Sequence, residues 1–298
     1  MKPKQLWKLS IETSPEAEEA VTELLQNRFG QPASSYTDVE RGMTIVMQLF
    51  AIAPEEFRRE RVQLREALKQ IQDCGLNVGP GAISLRKIRN EDWANSWKHH
   101  FKPIEIGAAL LIKTPWSKRR ARPGQKVIVL NPGLSFGTGQ HPTTCFCLRQ
   151  IIARRDEERR QSFLDIGTGS GILAIAAAKL GYSPVHAFDF DADAVRIARA
   201  NATKNRVSGQ TRFRQADLTR LSSASTGKYD VICANLISTP LIDQRRRILS
   251  RLARGGVLVL AGILKSEFPS VRRTYEREGL KLIAEWSETE WHSGVFLH

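Results

Sequence analysis

The run Phe163-Leu164-Asp165-Ile166-Gly167-Thr168-Gly169-Ser170-Gly171 constrains this chain more than any other, together with residues 172–181 that follow it. A short apolar run, three glycines at alternate positions and an alanine-rich stretch ending in glycine spell strand, turn and helix. Glycine admits the left-handed backbone and the close approaches that such a turn demands. The helix behind the turn points its unpaired N–H groups at whatever lies over it. Asp165, near the strand's end, is placed to accept hydrogen bonds from a cationic or N–H-bearing ligand. Eighteen residues past Gly171, Asp189 ends a second predicted strand at 185–188, where a carboxylate suits both hydroxyls of a ribose. The pattern describes a site for a nucleoside cofactor.

The loop alone leaves the nucleoside open. From Asp165 it reads Asp-x-Gly-x-Gly-x-Gly, the form met in S-adenosylmethionine methyltransferases. From Gly169 it reads Gly-x-Gly-x-x-Ala with an acid twenty positions on, which a dinucleotide-binding dehydrogenase also accepts. A tight turn with no ligand is the third reading.

At 298 residues there is room for two domains. A hydrophobic fraction of 41% beside 26% charged residues belongs to a globular chain. No apolar run reaches membrane-spanning length, and Met1-Lys2-Pro3-Lys4-Gln5 lacks the apolar core of a signal peptide, so a cytoplasmic protein is expected. Cys74, Cys145, Cys147 and Cys233 form no C-x-x-C pair and read as reduced apolar residues, with no metal site expected. The net charge of +14 rests on arginine runs such as Arg154-Arg155 and Arg245-Arg246-Arg247. It is read either as a field that attracts RNA or as helix surfaces with glutamate partners nearby, such as Glu157-Glu158.

In chain order, a strand at 4–12 places Leu6, Leu9 and Ile11 in a core, and Thr13-Ser14-Pro15-Glu16 starts a helix that Gly30 stops. Strands at 34–38 and 43–49, a helix from Pro54 carrying Phe57, Val62, Leu64, Leu68 and Ile71, and a strand at 83–88 complete a βαββαβ unit. Trp93, Trp97 and Phe101 recur on one face of a short connecting helix. Strands are expected at 104–112 and 126–130. The polar stretch Asn131-Pro132-Gly133-Leu134-Ser135-Phe136-Gly137-Thr138-Gly139-Gln140-His141-Pro142-Thr143-Thr144 then opens a helix and is suited to close over a ligand. Farther on, a helix at 193–205, strands at 211–214 and 229–233, a helix at 241–252, a turn at Gly255-Gly256, a strand at 257–261 and a final hairpin at 280–297 are expected. Asp217 reads as a helix cap or as an acceptor for an adenine N–H.

The run 131–144, the loop 165–171, the acids Asp189 and Asp191 and the segment Ala234-Asn235-Leu236-Ile237 resemble the ribosomal protein L11 methyltransferase (PrmA) family. The likeness extends over nearly the whole chain, through Glu91-Asp92-Trp93, Trp97 and Gly262-Ile263-Leu264. It implies an α/β fold: a doubly wound class I S-adenosylmethionine methyltransferase sheet at 104–298, a linker helix at 89–103 and a small ferredoxin-like α+β domain at 1–88 for substrate recognition. It implies S-adenosyl-L-methionine as cofactor, with Thr144, Gly167, Asp189 and Asn235 binding it, supported by Asp165, Gly169, Phe136, Gly137 and Thr138. Asn235 is expected to orient the amine nucleophile. His141 is either a proton acceptor or a helix cap. The implied reaction methylates amines of ribosomal large-subunit protein L11, on lysine side chains and the N-terminal amine, with ribosomal RNA as a further contact. An RNA or small-molecule methyltransferase, and a non-catalytic ribosome-assembly module, are the alternatives. The chain departs from the family's usual pattern at Gln140, at Leu236-Ile237 and in detail over 291–298.

Overall fold

A computed structural model describes residues 6–30, 33–38, 41–50, 54–88, 102–130, 141–225 and 227–298. The chain divides into two compact units, Met1–Phe101 and Lys102–His298. The expected connecting helix with Trp93, Trp97 and Phe101, and the loop residues Phe136, Gly137 and Thr138, lie outside the described residues.

The first unit runs β1 (Leu6–Thr13), α1 (Glu18–Phe29), β2 (Ser34–Asp38), β3 (Met43–Phe50), α2 (Pro54–Asp73) and β4 (Ala82–Ile88). Its sheet has the order β2-β3-β1-β4 with every pairing antiparallel. Ile11 faces Val46 on one neighbour and Ile83 on the other, and these three pack with Leu9, Val21 and Leu25. Each such fully buried aliphatic side chain contributes about 1.5–3 kcal/mol. The Leu6 side chain lies outside the described ones. One local expectation changes. Helix α1 starts at Glu18 behind Ala17, without a side-chain cap. Ser14 Oγ instead accepts the Ala17 amide at 3.3 Å, and the Thr13 hydroxyl donates to the Val78 carbonyl at 3.1 Å. Val62 does not face the core: it is 56% exposed, because it sits about 200° around the helix from buried Leu64.

The second unit opens with β5 (Ile104–Ile106), β6 (Leu110–Lys113) and β7 (Lys126–Val129), a small sheet of its own. The single strand expected at 104–112 is a hairpin, broken where Gly107 takes a φ of +55°. Then follow α3 (Pro142–Ala153), β8 (Phe163–Ile166), α4 (Ile172–Lys179), β9 (Val185–Asp189), α5 (Ala192–Lys204), β10 (Thr211–Gln215) and β11 (Tyr229–Asn235). The chain ends through α6 (Ser238–Asp243), α7 (Arg245–Leu249), β12 (Leu252–Leu264), α8 (Phe268–Arg277), β13 (Lys281–Glu288) and β14 (Trp291–Leu297). Between Arg154-Arg155 and Glu157-Glu158 no ion pair forms among the described residues. Arg155 donates instead to the Leu180 and Arg159 carbonyls and to Gln161.

The large sheet has the order β10-β9-β8-β11-β12-β14-β13. Strands β8 to β12 pair in parallel, and β14 runs antiparallel between β12 and β13. Parallel strands are covered on both faces, so their sequences are apolar throughout; all four residues of β8 are buried. One face packs on α4, whose Ile172–Ala178 stretch is fully buried. The other face carries Leu164, Ile166, Ile232, Leu260 and Phe296. The strand order reverses between β8 and β11, which opens a crevice beyond their carboxyl ends.

The helix expected at 241–252 is not continuous. Leu241 and Ile248 are buried on α6 and α7, but Leu252 pairs with Tyr229 and begins β12. Sheet pairing overrides the helical spacing there. The Gly255-Gly256 turn becomes an irregularity within β12: the register with β11 shifts beside it, and Gly255 takes a φ of +71°.

Candidate functional site

The glycine loop joins β8 to α4 at the mouth of the crevice. Gly167, Gly169 and Gly171 all have positive φ, at +72°, +52° and +81°. The Gly167 and Thr168 amides both donate to the Phe188 carbonyl, at 3.0 and 3.1 Å, which ties the loop to β9. A Cβ on Gly167 would fall 2.5 Å from Leu236 Cδ2, and one on Gly171 would fall 3.0 Å from Ala198 Cβ. The first contact keeps β11's exit against the loop, and the second lets α5 pack on the start of α4.

Asp189 ends β9 facing the loop. Its Oδ2 accepts the Gly169 amide at 2.9 Å and its Oδ1 accepts the Asp191 amide at 3.1 Å. A carboxylate oxygen accepts two hydrogen bonds, so each keeps a site for a further donor. A pair of neighbouring hydroxyls fits that vacancy. Asp191 caps α5 by accepting the Asp193 amide at 2.8 Å. The next residue on from Asp189, Phe190, is 76% exposed, an aromatic face beside the acid. The sequence reading missed it; an aromatic directly following the ribose acid was the available signal.

Asp165 is 1% exposed. Its Oδ2 accepts the Thr168 hydroxyl at 2.6 Å, while its Oδ1 has no hydrogen-bond partner among the described residues. Burial lifts this carboxyl from its usual range to about 7, the Thr168 hydroxyl and the Ala174 amide pull it down, and the charge of Asp189 adds to the rise. A buried acceptor with an unused oxygen calls for a donor, and a cationic one most of all.

On the far side of the crevice, Asn235 closes β11 and donates from Nδ2 to Thr144 Oγ1 at 3.4 Å. Thr144 is buried in the first turn of α3. Gly262 makes room for this amide: a Cβ there would sit 2.9 Å from Asn235 Oδ1 and 2.9 Å from the Leu236 carbonyl. Ile237 is 64% exposed two residues on, an apolar rim the sequence reading did not single out. His141 is the N-cap of α3, accepting the Thr143 amide on Nδ1 and packing edge-on against Trp291 at 5.0 Å. Burial lowers its pKa, against the opposing charge of Glu290. Its ring thus serves the cap. Asp217 likewise caps the short turn Leu218–Arg220, accepting the Thr219 amide and hydroxyl at 2.8 Å each.

The structure therefore gathers Asp165, Gly167, Gly169, Asp189, Thr144 and Asn235 around one crevice. It supplies a cradle only glycine can line, a half-used carboxylate, an orphaned buried acceptor and an amide at the end of a central strand. Among the described residues no group of three or more His, Cys, Asp or Glu is arranged to hold a metal ion. No helix among them is long and apolar enough to cross a membrane.

Comparisons with known proteins agree with this geometry. A family model described as "Ribosomal protein L11 methyltransferase (PrmA)" matches residues 5–296. A ribosomal protein L11 methyltransferase of Pelotomaculum thermopropionicum is 31% identical across 95% of this chain and 96% of its own length. That of Trichlorobacter lovleyi is 42% identical across 72% of this chain and 70% of its own length. Among solved structures, the ribosomal protein L11 methylase of Lactobacillus delbrueckii subsp. bulgaricus superposes with a TM-score of 0.59 at 28% identity. That match covers 66% of this chain and 98% of the other.

Proposed function

The chain belongs to the ribosomal protein L11 methyltransferase (PrmA) family, and from that membership and the crevice we propose that it transfers methyl groups from S-adenosyl-L-methionine to ribosomal protein L11. Its large sheet is the mixed α/β sheet of class I methyltransferases. The observation that carries the reading is Asp189 at the end of β9, bonded to the Gly169 amide with acceptor sites to spare.

The residues fit the donor. Asp189 takes the ribose hydroxyls, and Phe190 offers its ring to the adenine. The orphaned Oδ1 of Asp165 accepts from the donor's ammonium end. Gly167 lets the backbone approach, and Thr144 and Asn235 close the opposite wall. Phe136, Gly137 and Thr138 complete the set on the sequence likeness.

When bound, the donor supplies a methyl group already made electrophilic by its sulfonium, so the protein's main task is to align a nitrogen behind it. Asn235 orients the incoming amine, its Nδ2 held by Thr144 and its Oδ1 turned toward Gly262. Lysine side chains and the N-terminal amine of the substrate are the acceptors in this reading. A lysine amine must first shed a proton about three units too tightly held at neutral pH, a cost of roughly 4 kcal/mol that desolvation in the crevice reduces. An N-terminal amine starts partly neutral.

The order β2-β3-β1-β4 supports reading the first unit as a ferredoxin-like domain, at 1–88, joined through 89–103 to the methyltransferase domain at 104–298. We assign substrate recognition to it and place the protein in the cytoplasm. Mass spectrometry of ribosomal proteins from cells with and without this chain tests the function: L11 is expected to lose mass in methyl steps when the chain is absent. Unchanged masses throughout would remove the reading.

A further inference from the structure

The surplus positive charge is unevenly matched. Some arginines have carboxylate partners: Arg28 with Glu60, Arg119 and Arg122 with Glu105, Arg196 with Asp193, Arg245 with Glu278 and Arg272 with Glu276. Many others form no ion pair among the described residues, and one face of β9 and β10 gathers several of these. His186 and Arg212 are direct neighbours in the parallel register, and Arg214 lies beside Phe188, with its guanidinium 5.8 Å from the ring centre. His186 Nδ1 lies 2.7 Å from the Tyr229 hydroxyl. Arg251 is 7% exposed and donates to the Ser222 carbonyl at 3.1 Å and to Ser250 Oγ at 3.0 Å. Arg247 donates to the Leu221 carbonyl at 2.7 Å. Among the described residues, none of Arg212, Arg214, Arg247 and Arg251 forms an ion pair with a carboxylate. The charges that bear on Arg251 include those of Arg214 and Arg247, and those on His186 are Arg212 and Arg214. Asp230, next to Tyr229, is engaged by the Ser162 amide and hydroxyl.

The topology explains why this face is open. Between β10 and β11 the described residues form the three-residue turn Leu218–Arg220 and no longer helix. His186, Arg212 and Tyr229 sit in the opening residues of their strands, the end away from the glycine loop. Charged side chains do guard exposed edge strands, and β10 is an edge. Edge protection accounts for Arg212 and Arg214, but not for Arg247 and Arg251, which lie behind them on other elements. A buried guanidinium is screened less than an exposed one, so Arg251 deepens the field from beneath.

We propose that the face presented by Arg212 and Arg214, with His186, Arg247 and buried Arg251 behind them, docks the phosphodiester backbone of a base-paired RNA stem. Arg212 and Arg214 stand about 7 Å apart along one strand face, which suits a partner with regularly spaced charge. Guanidinium forks match phosphate oxygens. Among the described residues the exposed large apolar side chains that the centre of a protein–protein interface needs are Val62, Phe190, Ile237, Leu264, Ile283 and Leu297; of these only Phe190, beyond the end of β9, comes near Arg214. Arg212 and Arg214 have no exposed ring between or beside them on β10, which favours a stem over a single strand. The proposal does not depend on the methyl-donor reading.

The test is fluorescence anisotropy of a labelled RNA hairpin titrated with the full chain, without methyl donor, at several salt concentrations. The double variant Arg212→Gln/Arg214→Gln is expected to weaken binding about tenfold and to lower the slope of log Kd against log salt by about two. Arg212→Lys/Arg214→Lys should keep most of the affinity. Arg119→Gln/Arg122→Gln, which removes two cations already paired with Glu105, should leave the slope unchanged. Unaltered methyl transfer to free L11 by the Arg212→Gln/Arg214→Gln variant would report an intact fold. An equal loss from both glutamine pairs would overturn the proposal in favour of diffuse attraction. Tighter binding of poly-glutamate than of the hairpin, lost in the same variant, would overturn it in favour of an acidic protein surface.

Discussion

Asn235 and Thr144, ninety-one positions apart in sequence, meet through an Nδ2–Oγ1 hydrogen bond of 3.4 Å at the wall of the crevice. One closes the central strand β11 and the other begins the helix α3, so the contact fixes the strand end against a helix start. The amide is then positioned before any substrate arrives. Preorganisation of this kind is what a reaction needs when alignment is the main requirement.

Replacing that amide should separate turnover from folding. Asn235→Ala is expected to lower kcat about tenfold or more, the cost of one lost orienting hydrogen bond, with a smaller rise in the donor's Kd. Steady-state kinetics with purified L11 and donor titrations measure both. A kcat equal to the parent's would remove Asn235 from the role.

Gly167 permits a second test. Alanine there must hold a φ of +72° and place its Cβ 2.5 Å from Leu236 Cδ2. The left-handed backbone alone costs about 1–2 kcal/mol. Gly167→Ala should lower the melting temperature and abolish donor binding. The double variant Gly167→Ala/Leu236→Ala removes the clash but keeps the backbone strain, so it should recover only part of the stability. Full recovery would show that the positive φ is unimportant.

Most of this was legible in the sequence because local chemistry and tertiary contact agreed. The glycines at 167, 169 and 171 permit the positive φ that a tight strand-to-helix turn demands, and the apolar runs of β8 and β9 are read directly as buried strands. Errors arose where a distant partner decided. Leu252 has helical spacing from Leu241 and Ile248 but is claimed by Tyr229 across the sheet. The room that Gly262 leaves for Asn235 depends on strands that meet only in the folded chain.

Asp165 gives a pH signature. Its folded carboxyl titrates at about 7, above the ordinary value of 3.8. Between those values the folded state binds more protons than the unfolded chain, so this group's contribution is complete below about pH 4 and is lost as pH rises through 7. Asp165→Asn stays neutral throughout. Its stability relative to the parent should therefore rise from pH 4 to pH 8, by at most on the order of 4 kcal/mol. Urea unfolding at both pH values measures this, and parallel pH profiles would contradict it.

Donor binding should also release protons. A cationic ammonium brought to Asp165 Oδ1 stabilises the ionised carboxyl, so at pH 6.5 the parent should release a fraction of a proton and Asp165→Asn none. Calorimetry in buffers of different ionisation enthalpy reads the difference. Identical apparent enthalpies for the parent in all buffers would place the ammonium elsewhere.

In the proposed reading Asp189 anchors the donor. Loss of a charged acceptor for two hydroxyls is worth about 1.5–3 kcal/mol, so Asp189→Ala should weaken donor binding at least tenfold. Isothermal titration with S-adenosyl-L-methionine checks it, and unchanged affinity would remove the ribose assignment.

The most direct measurement is intact-mass spectrometry of purified L11 incubated with this chain and S-adenosyl-L-methionine. The parent should raise the mass in whole methyl steps that map to lysine side chains and the N-terminal amine, and Asp189→Ala should leave it unmodified. Unmodified L11 alongside a chain that binds the donor normally would contradict the account.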